Sequence, residues 1–272
     1  MTGIIGAGFG LYGYLPAVLK NEEKVFLLDE SKEIFLLRAE LKKYANNIEW
    51  LRSIEELLSI CTTLIICVPP KIQETYTDCI PLHCNISNLI LEKPLASTPL
   101  KSSQTVSKLL SADRTFRIGY SFLYTDWFNT LDRKQLENEN FNITWNFKAH
   151  HYKYNIENWK RFNDEGGGVI RFFGIHLIAL MAELGFTKIV MSHTSGNSNN
   201  DLEKWSAIFE NENKIKCSIS IDSNSDEELF AIELLGTKSS IKKELFSAIS
   251  PFETESSSEK DEDKRINILQ KL

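Results

Sequence analysis

Apolar residues follow two rhythms along this chain. In the first 117 or so residues they come in short unbroken blocks: the opening "TGIIGAG", then "KVFLLDE", "TTLIICVPP" and "NLILEKP". Each block ends on a glycine, an acid or a proline. Between the blocks lie segments with helical spacing: "YGYLPAVLKN", "SKEIFLLRAELKKYA" with Ser31 as its N-cap, and "SIEELLSI". Continuous apolar strands alternating with helices predict a parallel sheet covered on both faces.

Beyond Arg117 the period becomes two. "FNITWNFKAH" sets Ile143, Trp145, Phe147 and Ala149 on one face and Thr144, Asn146, Lys148 and His150 on the other. "KIKCSISID" alternates in the same way, and "KIVMSH", "KWSAIFE" and "LFAIELLG" read as further strands. Such alternation predicts a largely antiparallel sheet with one covered face. One helix, Gly166 to Gly185, interrupts it. The expected architecture is an α/β domain over residues 1–118 and an α+β domain over residues 119–272. "SSSEKDEDK", Ser256 to Lys264, reads as a solvated loop or linker. The last segment, "RINILQKL", begins a helix that stops after one and a half turns, either a short terminal helix or a shortened C-terminus.

Composition narrows the function classes. The chain has 272 residues and a net charge of −6, which argues against a partner coated in phosphates such as DNA or RNA. No apolar run approaches the length of a bilayer span and no signal peptide precedes the first strand. Five cysteines, Cys61, Cys67, Cys79, Cys84 and Cys217, include no C-x-x-C pair, so reduced thiols in a cytoplasmic protein are expected. No metal site is predicted.

The strand–turn–helix at the start carries the first candidate chemistry. Gly6 permits a tight turn, Gly8 lets the backbone approach a pyrophosphate, and Phe9 and Gly10 open the helix whose amides would face it. This is the context of a dinucleotide-binding Rossmann turn, although the third position of G-x-G-x-x-G is Leu11. Asp29 ends the second strand, where a carboxylate accepts from both hydroxyls of an adenine ribose and repels a 2′-phosphate. NAD is therefore the expected cofactor; Lys32 nearby keeps NADP open. A Rossmann-like fold that binds nothing is the alternative.

Two further residues stand out. Lys93 follows a strand at its carboxyl end, where ligands of open α/β sheets collect; it is either a donor to a substrate hydroxyl or a surface lysine before a turn. His176 shares an apolar helix face with Phe172 and Leu180, so it is either a packed core residue or a general acid/base.

Taken in order, "GIIGAGFG…LPAVLK", "IICVPP", "LILEKPLA" and "NWKRFNDEGGGVIRFFGIHLIAL" resemble the glucose–fructose oxidoreductase/inositol dehydrogenase (Gfo/Idh/MocA) family. The resemblance runs from residue 3 to about 185. It implies a Rossmann domain, a second domain built on an antiparallel sheet, and NAD(P)-dependent oxidation or reduction of a sugar, polyol or sugar nucleotide. It places Val68, Pro69, Glu92 and Lys93 at the cofactor, suggests a cis bond before Pro94, and gives His176 a site role. Tyr120 falls where the family often has substrate-contacting residues, and Trp159 and Lys160 are further pocket candidates.

There are departures. Phe172 stands where the family has an acid four residues before the histidine, the third glycine is Leu11, and the chain is short for the family. Two functions follow. One is an oxidoreductase in which Lys93 stabilises the alkoxide and His176 carries the proton; the other is a silent relative that binds dinucleotide or sugar as a sensor or partner subunit. Reduction of an imine or tetrapyrrole is a more distant option. The expected partner is a sugar-like small molecule, with no nucleic acid or membrane, and copies could associate through the C-terminal sheet.

Overall fold

The computed structural model describes residues 1–80, 85–236, 242–253 and 263–272. They form two units, one of Met1–Ser121 with the described C-terminal residues 263–272, the other Phe122–Glu253. Cys84 and most of the polar run Ser256–Lys264 lie outside the described residues.

The first unit is built on six parallel strands: β1 (Thr2–Ile5), β2 (Val25–Leu28), β3 (Ile48–Leu51), β4 (Thr63–Ile66), β5 (Asn88–Leu91) and β6 (Thr115–Ile118). Their order, β3-β2-β1-β4-β5-β6, reverses direction at the β1/β4 boundary, the switch point of a doubly wound sheet. β1 and β2 are buried along their whole length, as unbroken apolar blocks require. The helices are α1 (Leu15–Leu19), α2 (Lys32–Leu37), α3 (Ile54–Ile60), α4 (Pro70–Cys79) and α5 (Pro99–Ser111).

The helix expected over "SKEIFLLRAELKKYA" is broken. α2 ends at Leu37, Arg38 is extended (φ −100°, ψ 106°), and a 3-10 stretch Ala39–Asn47 follows. Phe35 alone in α2 is buried, so no continuous apolar face holds a longer helix down. Arg38 leaves the helix to lie over the Tyr12 ring and pair with Glu40. Ser31 is buried and its side chain makes no cap bond, so its expected capping role is not observed.

The second unit holds the short helices α6 (Asp126–Thr130), α7 (Arg133–Asn138) and α8 (His150–Lys153), the helix α9 (Ile175–Glu183), and six strands. The strands are β7 (Phe141–Lys148), β8 (Lys188–Gly196), β9 (Leu202–Glu210), β10 (Lys216–Asp222), β11 (Asn224–Leu235) and β12 (Lys242–Ala248), in the order β12-β11-β7-β10-β9-β8. Neighbours are antiparallel except β7 and β10, whose parallel register pairs Ile143 with Ile219 and Trp145 with Ile221. The alternation read in the sequence is real: Ile143, Trp145, Cys217, Ile219 and Ile221 are all in the core, joined there by Leu177, Leu180 and Met181 of α9.

The last described residues form α10 (Ile266–Lys271), which packs on α1 in the first unit. The described residues 263–272 thus cluster with the first unit, whereas the sequence places them in a domain of residues 119–272. Ile266, Ile268, Leu269 and Leu272 are buried there, and Lys20 bonds Asn267 at 2.9 Å.

Candidate functional site

The glycine turn separates what folding needs from what it does not. Gly6 has φ +124°, and a Cβ there would stand 2.2 Å from the Cys67 carbonyl oxygen, so the fold itself demands glycine. At Gly8 a Cβ would meet nothing within 4 Å. No packing explains glycine at that position. The bare backbone faces open space, at the place where a pyrophosphate would approach. The residues present therefore fit a dinucleotide.

The helix after the turn begins with a π-helical stretch, Gly10–Tyr14, that runs into α1. Gly10, not residue 11, makes the close helix–strand approach, with its Cβ position 3.1 Å from Ile4; Leu11 is fully buried instead. The Phe9 ring folds back over Gly13 and lies edge-on to Tyr12 and Tyr14, at 5.3 and 5.4 Å.

Asp29 follows β2 at the start of a 3-10 turn and is exposed. The β1–β2 register pairs Ile4 with Leu27, which sets Asp29 level with Gly6 at the carboxyl ends of the strands. The Lys32 ammonium lies 5.6 Å from the Trp50 ring.

Val68 and Pro69 follow β4, half-buried, and Pro69 caps α4 with its carbonyl accepting from Ile72 and Gln73. Glu92-Lys93 directly follows β5, and the Lys93–Pro94 bond is cis. This turn is held by Gln73, which sequence reading missed. Its buried Nε2 donates to the carbonyls of Glu92 (2.7 Å) and Leu95 (3.0 Å), while its Oε1 accepts from the Glu92 amide at 3.2 Å. A glutamine inside an otherwise polar helix carries no signal of that duty. The Glu92 carboxyl accepts from Tyr14 at 2.8 Å. Burial pushes its pKa up against the opposing pull of Lys93 and the Tyr14 hydroxyl. Burial, then Glu92, likewise drives Tyr14 well above the ordinary phenol range, and burial raises the Cys67 thiol. Tyr120 lies just past β6, half-buried, in this first unit.

In the second unit, a π-helical stretch Val169–Gly174 leads into α9, which carries His176. His176 is buried and stacks on Phe122, with centroids 4.8 Å apart and planes 20° apart; Phe252 meets it edge-on. Phe172, one turn earlier, meets Trp159 edge-on at 5.4 Å, and the Lys160 ammonium lies 5.5 Å from its ring. Gly167 explains why these residues gather. A Cβ there would stand 2.0 Å from the Trp159 carbonyl oxygen, and Gly168 donates to the Lys160 carbonyl at 2.9 Å. The glycine run thus clasps the Trp159–Lys160 backbone against the start of the helix. Beside it Asp201, also missed, accepts from Arg161 (2.7 and 3.0 Å), Tyr152 (2.8 Å) and Asn197 (3.2 Å). Among the described residues no three His, Cys, Asp or Glu side chains gather as a metal site needs, and no helix is long and apolar enough to cross a membrane.

A parallel sheet with its switch point beside a glycine turn, followed by a mostly antiparallel sheet, is the fold of the Gfo/Idh/MocA-type dehydrogenases, the solved structures that this chain is similar to. The WlbA dehydrogenase from Chromobacterium violaceum, solved with NADH and UDP-GlcNAcA, is 14% identical with a TM-score of 0.75, over 99% of this chain and 81% of that one. An oxidoreductase from Thermotoga maritima is 18% identical with a TM-score of 0.71, over 99% and 92%. A super-repressor mutant of Gal80p from Saccharomyces cerevisiae is 11% identical with a TM-score of 0.71, over 99% and 82%. No family model matches the chain, and no curated protein matches it in sequence.

Proposed function

We propose that this chain is an NAD(P)-dependent oxidoreductase acting on a sugar, sugar nucleotide or related polyol, with NAD the preferred cofactor. The observation that carries the reading is the open space at Gly8, at the switch point of the sheet and in the same unit as the Glu92-Lys93-Pro94 turn. Gly6, Gly8, Phe9 and Gly10 would hold the diphosphate, Asp29 the adenine ribose, and Val68, Pro69 and Glu92 the remainder. The nicotinamide, when bound, supplies or accepts the hydride. The Lys93 ammonium donates to the substrate oxygen and favours its negative charge. His176 gives or takes the proton of that hydroxyl. Trp159 offers an aromatic ring suited to sugar C–H surfaces, with Lys160 and Tyr120 as polar contacts. The solved WlbA structure with NADH and a sugar nucleotide supports this choice of ligand classes. Association of copies through the C-terminal sheet belongs to the same proposal; its edge strand β8 exposes Ile189, Val190 and Met191.

A second reading, a silent relative that binds dinucleotide or sugar, rests on particular residues. Phe172 replaces a carboxylate one turn before His176, and His176 is stacked against Phe122. The similarity to the super-repressor mutant of Gal80p supports it. One experiment separates the readings. The protein is titrated with NADH and NADPH by nicotinamide fluorescence, then assayed for turnover on a panel of sugars and sugar nucleotides. The enzyme reading expects binding with a preference for NADH, and turnover that falls by about two orders of magnitude or more in Lys93→Ala. Binding without turnover on any of them selects the silent relative, and absence of binding by the folded protein rejects the dinucleotide site.

A further inference from the structure

Arg265, 256 residues after Phe9, returns to the glycine turn. Its guanidinium carbon lies 4.1 Å from the centre of the Phe9 ring, within the range of a cation–π contact. Two parallel bonds fix its plane: Nε to Asp263 Oδ1 at 2.8 Å and Nη2 to Asp263 Oδ2 at 2.7 Å. The Arg265 side chain stays 30% exposed, so it is reachable from solvent. Its contact with Phe9 places it beside the glycine turn that follows β1.

Anchoring α10 does not call for this cation. Four apolar residues of the terminal segment are buried, Lys20 bonds Asn267, and Arg117 donates to the Leu272 carbonyl at 2.6 Å. A half-buried ion pair adds little to such an anchor, because desolvating and ordering the two side chains offsets most of their attraction. Nε and Nη2 are taken by Asp263, so what the guanidinium brings to a diphosphate is a permanent positive charge held in a fixed place. Phe9, which carries it, directly follows Gly8, where the backbone lies open.

We propose that Arg265 is a binding residue for the diphosphate of the dinucleotide, brought to the Rossmann turn by the C-terminal segment and oriented by Asp263. The inference rests on the dinucleotide reading above and adds to it a cationic contact from outside the strand–turn–helix motif. It also gives the C-terminal segment a direct part in affinity.

The test compares the full-length chain with Arg265→Met, which keeps an apolar stem over Phe9, and Arg265→Lys, which keeps the charge without the fork. Each is titrated with NADH, with ADP-ribose, which has the diphosphate but no nicotinamide, and with adenosine, which has neither. Melting temperature is recorded alongside. The expected result is a loss of about tenfold or more for NADH and ADP-ribose in Arg265→Met, from removal of a charge-assisted contact. Arg265→Lys falls between, adenosine changes less than about twofold, and the loss shrinks as salt is raised. Unchanged ADP-ribose affinity in Arg265→Met overturns the proposal while leaving the dinucleotide site standing. Equal losses for ADP-ribose and adenosine, with a lowered melting temperature, overturn it in favour of a purely structural pair. Should Arg265→Met fail to fold, Arg265→Lys decides by the same comparison of ADP-ribose with adenosine. Failure of the unaltered chain to bind NADH or ADP-ribose removes both readings together.

Discussion

The Tyr14 hydroxyl donates to Glu92 Oε1 at 2.8 Å, joining the helix after the glycine turn to the end of β5. Both groups are buried enough that their pKa values rise, chiefly through desolvation. Removing the donor in Tyr14→Phe leaves a buried carboxyl short of a partner, at a cost of about 1–3 kcal/mol, measured by urea unfolding at pH 7. Glu92→Gln should behave differently with pH. A carboxyl whose folded pKa is raised favours folding only below its unfolded pKa, and that contribution is lost as pH rises through the folded value. The stability of Glu92→Gln relative to the unaltered chain should therefore increase from pH 4 to pH 7, and a flat difference would refute the assignment.

Gly6 and Gly8 should separate folding from binding. Gly6→Ala forces a Cβ to within 2.2 Å of the Cys67 carbonyl at φ +124°. Its expected cost is about 3 kcal/mol or more, or loss of the folded state. Gly8→Ala meets no protein atom within 4 Å, so its unfolding midpoint should stay within about 0.5 kcal/mol while NADH affinity falls. A Gly8→Ala protein that binds NADH normally would remove the pyrophosphate from that space.

Gln73 should prove a positioning residue for the Lys93 turn. Gln73→Ala strips partners from the carbonyls of Glu92 and Leu95 and from the Glu92 amide. The expected destabilisation is about 2–4 kcal/mol. Gln73→Glu should be no better at neutral pH, since a carboxylate cannot donate to either carbonyl. Equilibrium unfolding of the two variants checks this, and near-native stability of Gln73→Glu would show that the clamp is dispensable.

His151 sets an acid limit on the second unit. Burial, helped by Arg161 and Lys160, lowers its pKa to about 4. A group depressed in this way lends stability above its unfolded pKa, and loses it as pH falls from about 6.5 towards 4. From pH 8 to pH 5 this costs about 1–2 kcal/mol, allowing for solvent screening. His151→Gln should show a shallower loss over that window, read from urea midpoints at the two pH values. Parallel curves for the two proteins would count against a neutral buried imidazole.

Much of the architecture is legible in the chain because periodicity reports which faces are apolar. The unbroken blocks at Ile4–Ile5, Val25–Leu28 and Leu64–Ile66 are buried on both faces, and the alternating β7 and β10 turn Ile143, Trp145, Ile219 and Ile221 inward. The glycine turn, Asp29 at the end of β2 and the turn at Lys93 are local events, written within a few neighbouring residues. The break at Arg38 was not legible, because Ile34, Leu36 and Leu37 mimic a helix face although they remain exposed. Nor does periodicity say which strand pairs with which: the parallel register of β7 with β10 depends on everything between them. The tertiary structure alone decided that Gln73 holds the Glu92–Leu95 backbone, that Gly167 clasps Trp159 and Lys160, and that Arg265 covers Phe9. Each of these joins segments whose own sequences are satisfied without the other. A local pattern encodes the apolar or polar character of a face, whereas the partner of that face is chosen only when the whole chain packs.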